Sequence, residues 1–540
     1  MRPPSFTRGP AGAGFLPFCL AAGAALRLAI AWAPLEWLLR YVLADDTFYY
    51  LNIARNFAQG HGVSFDRLAE TNGFHPLWML IILPVYGLIE DRTLAVHAVL
   101  TLNALTDTLS IYLLYKLLGE FGAGEFPRRL TCGLYAFAPA LVSHVGPMNG
   151  LETALNLLLT LLYLLLYRRA AASGAWSVPA ALGLGLASGL LFLARTDNAI
   201  LLAVTYAYLA LTRTPPAVAL GRLAAAGAAG AALAVPWLIW CYVKFGSVVQ
   251  VSGQSLAFML RTAAREEGWT GADYLRQFAG SLAATAAYVP VYLHDTPALS
   301  PVAATAGLIL AALAVAAWRA WRRTDRVERA AWWQGVKPLA APLAAVVLFV
   351  LVHVSRGVYM RGWYYMSTVP ALLTALTLLL DRVLKDRARR HPAGGATART
   401  AAAAAAVALL TLSAATLARP RYGEVDKFKL VQAMNAKLPS GARVGSWNAG
   451  VYGYFFERGV VVGLDGLVNN EAYPYIRART LARYCRDRQI TYLADPVESL
   501  RYVQRFWAPG GPDLVGSLRF VHAVYGQKER CDIVVGRLDD

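Results

Sequence analysis

Asp45 and Asp46 stand side by side in ADDTFYYLNIARNFAQGHG, with the apolar stretch FLPFCLAAGAALRLAIAWAP before them and FHPLW, opening a second apolar run, after them. Adjacent carboxylates repel, and the repulsion grows at the edge of a low-dielectric region. On a helix, neighbouring side chains point about 100° apart. One carboxylate can then face a cavity while the other caps the helix or binds a partner. An Asp ahead of TFYYLNIARNFAQG suits a helix start, which accounts for one acid and leaves the other for chemistry. Apolar surroundings raise a carboxylate's pKa, as a general base requires, and a carboxylate pair also suits a divalent cation.

Other polar clusters interrupt the apolar chain. TNGFHPLW carries Asn72 and His75, a residue suited to a structural hydrogen bond, a metal or a phosphate. Glu152 in MNGLET opens a helix, where a carboxylate complements the dipole. Arg195 and Asp197 in ARTDN are spaced to pair with each other. Arg361, with Arg356 in SRGVYMRGWYY, lies among aromatics, where it can bind an anion or extend its head to the interface. Charges at a membrane are costly, so their gathering at one interface points to a site.

The elements that must position these groups are membrane helices. The 540 residues are 57% hydrophobic and 16% charged, against about 25% charged in an ordinary globular domain, and mean hydropathy is +0.43. Apolar stretches of about 18 residues recur, as in polytopic membrane proteins. The net charge of +18 does not indicate nucleic acid, because the basic residues cluster in short loops, as the positive-inside rule requires. Those loops predict about eleven transmembrane helices, near 15–34, 94–117, 130–147, 152–167, 178–195, 199–212, 223–243, 300–318, 338–354, 364–383 and 401–418. The N-terminus is then cytoplasmic, the first helix is uncleaved, and the polar clusters share the outer face. PLWMLIILPVYGLI, short and holding Pro84, reads as an interfacial helix within a first outer loop spanning 35–93. The alanine run 401–406 reads as a small-residue packing face.

Residues 1–419 form the membrane domain in this scheme, and 420–540 a small extracytoplasmic α/β domain. RVGSWNAG, VVVGLDG, ITYLADP and CDIVVGRLDD read as strands, KFKLVQAMNAKL and AYPYIRARTLARYCRD as helices. GSWNAG lacks the spacing of a nucleotide fingerprint and reads as a strand-to-helix turn. Cys485 and Cys531 are candidates for a disulfide if the tail is outside.

The acidic pair, the H-P-L segment leading into an interfacial helix, NGLET and ARTDN together resemble the GT-C superfamily of membrane glycosyltransferases. ADDTFYYLNIARNFAQGHG with TNGFHPLW looks like the bacterial group related to protein mannosyltransferases, aminoarabinose transferases and arabinofuranosyltransferases. The resemblance covers roughly residues 15–370 and the general plan of a C-terminal outer domain. It implies an inverting transferase with a polyprenyl-phosphate sugar donor and a cell-envelope glycan, lipid or protein acceptor. Asp45 or Asp46 would be the general base, with Asp45 favoured. The other acid, with Glu152 and His75, would position the acceptor or a divalent ion. Arg195 and Arg361 would neutralise the leaving lipid phosphate. Protein mannosyltransferases typically carry Asp-Glu and H-P-P-L where this chain has Asp-Asp and H-P-L, which weighs against protein mannosylation. The alternative is a transporter or flippase of a lipid-linked sugar. Such proteins often carry internal repeats and midplane charges; this sequence has no evident repeat, and its charges sit at the outer ends.

Overall fold

The computed structural model describes residues 14–172, 176–212, 216–291, 301–357, 362–391, 394–417, 423–508, 510–511, 513–524 and 533–538. Helices fill it as far as Lys437. Among the described residues, four helices are long and apolar enough to cross a membrane: Arg92–Glu120, Thr153–Ala172, Pro216–Phe245 and Arg326–Ser355. A fifth span is available if Phe15–Ala31 and Leu35–Tyr41, bent by 107° at the break between them, act together.

Several of the eleven expected spans are shorter or broken. The 130–147 stretch is a helix Glu125–Ala136 followed by a 3-10 turn Pro139–Val142. The cause is local: Ala138, before a proline, is extended at ψ 130°. The expected helix near 364 starts as a 3-10 turn, Gly362–Ser367, and becomes regular only over Val369–Arg390. Pro76–Leu88 is a separate helix of 13 residues, about 20 Å long and well short of a bilayer. Two helices, Val251–Glu266 and Gly271–Val291, lie where no span was assigned.

The C-terminal segment holds a five-stranded sheet of order β2-β1-β3-β5-β4. Its strands are β1 Ala442–Ser446, β2 Gly459–Gly463, β3 Tyr492–Pro496, β4 Leu518–Val524 and β5 Ile533–Leu538. β1 pairs in parallel with β2 and β3, and β5 runs antiparallel to β3 and β4. The expected strands and the helix over KFKLVQAMNAKL are present; β4 and the helix Val497–Trp507 are additional. AYPYIRARTLARYCRD forms two helices rather than one, because Arg479 takes a left-handed φ of 56° between them. Cys485 is a buried free thiol, so the expected disulfide is corrected for this residue; Cys531 lies outside the described residues.

One apolar core runs through both parts: Phe48 and Tyr50 of the Asp45–Ala58 helix share it with Val444 and Tyr454. Polar ties reinforce the contact. Arg55 and Arg92 both donate to the Tyr454 carbonyl, at 3.1 and 2.9 Å, and Asn470 Nδ2 donates to Asn72 Oδ1 at 3.0 Å. Gly73 is one close approach, against Leu467, and Gly450 is another. A Cβ there would overlap the backbone of Asp45. Gly450→Ala is expected to cost about 1–3 kcal/mol, read as a lower thermal midpoint of the purified protein.

Candidate functional site

The helix Asp45–Ala58 organises the site. Ala44 is extended ahead of it, and Asp45 and Asp46 fill its first turn, where carboxylates complement the dipole. Residues four apart on a helix are neighbours, with Cβ atoms about 5–6 Å apart. Asp45 therefore stands over Tyr49, and Asp46 over Tyr50. The two rows lead to different clusters.

The Asp45 row faces the C-terminal segment. Asp45 Oδ2 accepts from the Gly450 amide at 3.1 Å and Oδ1 from the Val451 amide at 3.0 Å. Lys427 Nζ lies 2.9 Å from Oδ1. The GSWNAG stretch is thus a strand-to-helix turn whose helix start is closed by a carboxylate from the membrane part. Burial lowers the Lys427 ammonium, but Asp45, Glu424 and Asp495 together outweigh it and raise the pKa. Tyr49 donates to Asp465 Oδ2 at 2.9 Å and accepts from the Ala449 amide at 3.3 Å.

Asp465, between glycines in GLDG, brings a third carboxylate to the pair that local sequence reasoning missed. Burial, with added repulsion from Asp46 and Asp45, pushes its carboxyl up to about 8 against bonds from Leu467 and Tyr49 that lower it. A folded-state pKa above the ordinary 3.8 means that the native state holds the proton more tightly than the unfolded chain. The resulting stability is full below about pH 4 and is lost as pH rises through about 8. Asp465→Asn is expected to flatten that loss: between pH 6 and 9 the wild-type melting temperature should fall more than the variant's.

Tyr50, one turn on from Asp46, leads to a cluster of four residues singled out by sequence. Arg195 ends the helix Val178–Ala194 with an extended backbone. Its Nη1 donates to Glu152 Oε1 at 2.6 Å, and its Nε and Nη2 donate to the two Asp197 oxygens at 3.2 and 2.7 Å. Its guanidinium lies 4.6 Å from the Tyr364 ring centroid. Burial lowers the guanidinium pKa, and Asp197 and Glu152 more than reverse that. Burial likewise raises Asp197, but Arg195 draws it down to about 2. The Tyr50 hydroxyl, raised well above its ordinary pKa by burial and then by the Glu152 charge, accepts from the His75 amide at 3.0 Å.

His75 Nε2 lies 3.9 Å from Glu152 Oε1. Gln250 Nε2 donates to His75 Nδ1 at 3.3 Å, while Gln250 Oε1 accepts from Thr196 at 3.1 Å. This network assigns the ring proton to Nε2. Burial lowers the His75 pKa and keeps the ring neutral. His75, Glu152, Arg195 and Asp197 thus form one network, with Asp45 and Asp46 at the head of the adjoining helix. Arg361 lies outside the described residues.

Arg195 places three of its five N–H donors on Glu152 and Asp197 and so ties the two carboxylates together. Asp46 and Glu152 are the expected ligands of a divalent cation. Glu152 already carries the Arg195 charge, and among the described residues no three His, Cys, Asp or Glu side chains gather to hold a metal.

A cleft of about 410 Å³ opens beside the Asp45 cluster, lined by Trp447, Asn448, Ser499 and Tyr502 on one side and Met259 and Trp269 on the other. It shares the turn after β1 with the amides that hold Asp45.

Residues 415–528 match a family described as a domain of unknown function (DUF8728). No curated protein matches the chain. Among solved structures, it is similar to the oligosaccharyltransferase AglB from Archaeoglobus fulgidus, determined with an inhibitory peptide and a dolichol-phosphate. The TM-score is 0.58 at 14% identity, over 96% of this chain and 74% of that one. A second structure of the Archaeoglobus fulgidus oligosaccharyltransferase, complexed with Zn and sulfate, matches with a TM-score of 0.58 at 14% identity, over 96% and 72%. ArnT from Cupriavidus metallidurans, bound to undecaprenyl phosphate, matches with a TM-score of 0.56 at 14% identity, over 97% of this chain and 98% of that one. The chain therefore has the GT-C-like fold of membrane glycosyltransferases, with a small C-terminal sheet beside the acidic pair.

Proposed function

We propose that the protein is a multi-pass membrane glycosyltransferase that moves a sugar from a polyprenyl-phosphate donor to an extracytoplasmic hydroxyl, with inversion. Its N-terminus is then cytoplasmic, and residues 420–540 are an outer domain. The observation that carries this reading is the division of labour at the acidic pair. Asp45 is bound on both oxygens, while Asp46 stands one helical turn before Tyr50, whose hydroxyl accepts from the His75 amide. The fold supports the reaction class, as do the lipid phosphates of two neighbours, dolichol-phosphate on AglB and undecaprenyl phosphate on ArnT.

Asp46 then replaces Asp45 as the proposed general base. It takes the proton of the acceptor hydroxyl while that oxygen bonds to the anomeric carbon. The bond from that carbon to the phosphate oxygen breaks on the opposite face, and its electron pair leaves with the lipid phosphate. His75 Nε2–H donates to the departing phosphate, and Arg361 supplies positive charge. Arg195 is a positioning residue that fixes Glu152 and Asp197. The cleft at Trp447 and Tyr502 admits the acceptor.

The test incubates the protein in proteoliposomes with radiolabelled polyprenyl-phosphate sugars and envelope extracts. Label should move to an acceptor with wild type and not with Asp46→Asn. Equal transfer by both would remove Asp46 from the reaction, and no transfer from any donor would overturn the assignment.

A further inference from the structure

At the far end of the bundle, helices Pro301–Arg323, Val369–Arg390 and Gly394–Leu417 form a trough, with Glu125–Ala136 lining its apolar part. The second begins beside Ser367, which accepts from Asn156 near the Arg195 network. Its 22 residues carry it about 33 Å, so its arginine-rich end lies opposite Asp46. The trough has two connected chambers. One, of about 370 Å³, is walled mainly by leucine, isoleucine and alanine. The other, of about 560 Å³, is bordered by Arg319, Arg323, Arg387 and Arg390. Ala316, Leu380 and Ala402 line both.

The floor comes from the alanine-rich helix. Gly394, Ala398, Ala401, Ala402, Ala405 and Ala406 follow one face along its length. The alanine run packs against its neighbours, with Ala406 buried, and its small side chains leave the trough open beside that contact. Leucines at these positions would fill it. The mouth is strongly positive. Arg323 and Arg390 share a single carboxylate, Asp386, at 3.5 and 2.8 Å. Arg319 and Arg387 make no ion pair among the described residues. The wall from Leu373 to Arg390 rises about 25 Å, enough for one leaflet's hydrocarbon and its headgroup layer.

We propose that this trough holds one anionic phospholipid, its phosphate on Arg319 and Arg387 and an acyl chain along the alanine face. Charge complementarity selects the occupant. A zwitterionic lipid fills the apolar chamber equally well but leaves the mouth with excess positive charge, whereas an anionic headgroup matches it. The site is remote from Asp46 and independent of the proposed reaction.

Native mass spectrometry of the full-length protein, delipidated in detergent and titrated with phosphatidylglycerol or phosphatidylcholine, tests this. One phosphatidylglycerol should be retained at concentrations where phosphatidylcholine is not. R319Q/R387Q should raise the phosphatidylglycerol needed by about thirtyfold, since each basic residue near a surface contributes roughly fivefold and the two multiply. Ala402→Leu/Ala405→Leu should weaken retention with the arginines intact. Equal retention of the two lipids by the unaltered protein would overturn the proposal, and that comparison needs no variant to fold. Unchanged phosphatidylglycerol retention by a folded R319Q/R387Q would overturn it too. So would displacement by inorganic phosphate as effective as by phosphatidylglycerol, which would make the site one for a free anion.

Discussion

Asp46→Asn is expected to lower sugar transfer by about a hundredfold to ten-thousandfold, the range for removing a general base, with little change in the thermal midpoint. Asn keeps the shape and loses only the ability to take a proton. Asp45→Asn should behave in the reverse way. Asp45 accepts from two amides and an ammonium, and its loss leaves buried Lys427 without its carboxylate partner. A hydrogen bond to a charged group contributes about 1.5–3 kcal/mol, so Asp45→Asn should lower the melting temperature and loosen the C-terminal segment, readable as faster proteolysis near residue 420. The contrast separates roles that two adjacent acids otherwise obscure. If Asp45→Asn alone abolished transfer at full stability, the two assignments would be exchanged.

The second large effect lies inside the bundle. Arg27 and Asp107 are fully buried and pair at 2.7 Å between Phe15–Ala31 and Arg92–Glu120. Arg27 Nη1 also donates to the Gly23 and Ala136 carbonyls, each at 3.0 Å, and Tyr135 donates to Asp107. Removing one partner leaves an uncompensated charge in an apolar interior. Asp107→Asn is expected to cost about 3–5 kcal/mol, seen as a large drop in melting temperature or in yield of folded protein. Arg27→Met added to Asp107→Asn should recover much of the loss, because removing both charges is far less costly than stranding one. Additive losses would mean that the two residues act separately.

What the sequence revealed of the site follows from the range of the interactions. Asp45, Asp46, His75, Glu152, Arg195 and Asp197 stood out because each interrupts or borders an apolar run, and helix direction then sends them to one face. Their roles were less legible. The bonds that occupy Asp45 come from Lys427, Gly450 and Val451, some 400 positions away, and no local pattern announces them. Asp465 was hidden in the same way: GLDG reads as a strand end, and only the fold brings it under Tyr49. Arg195 with Asp197 was readable from spacing, yet the involvement of Glu152, which redirects the guanidinium, was not. Helix ends were less legible than helix existence, because hydropathy does not register local breaks such as the extended Ala138 before Pro139. Val251–Glu266 was missed because Ser252, Gln254, Arg261, Thr262, Arg265 and Glu266 make it too polar to read as a span; Ser255 donates to the Asp465 carbonyl at 2.5 Å.

The most direct measurement follows a doubly labelled polyprenyl-phosphate sugar in proteoliposomes, with one label on the sugar and one on the phosphate. Lipid-linked transfer predicts that the two labels separate: one polyprenyl phosphate is released for each sugar transferred, and the product carries the inverted anomer. Labels that stay together while the intact lipid-linked sugar changes leaflet would contradict it and make the protein a transporter.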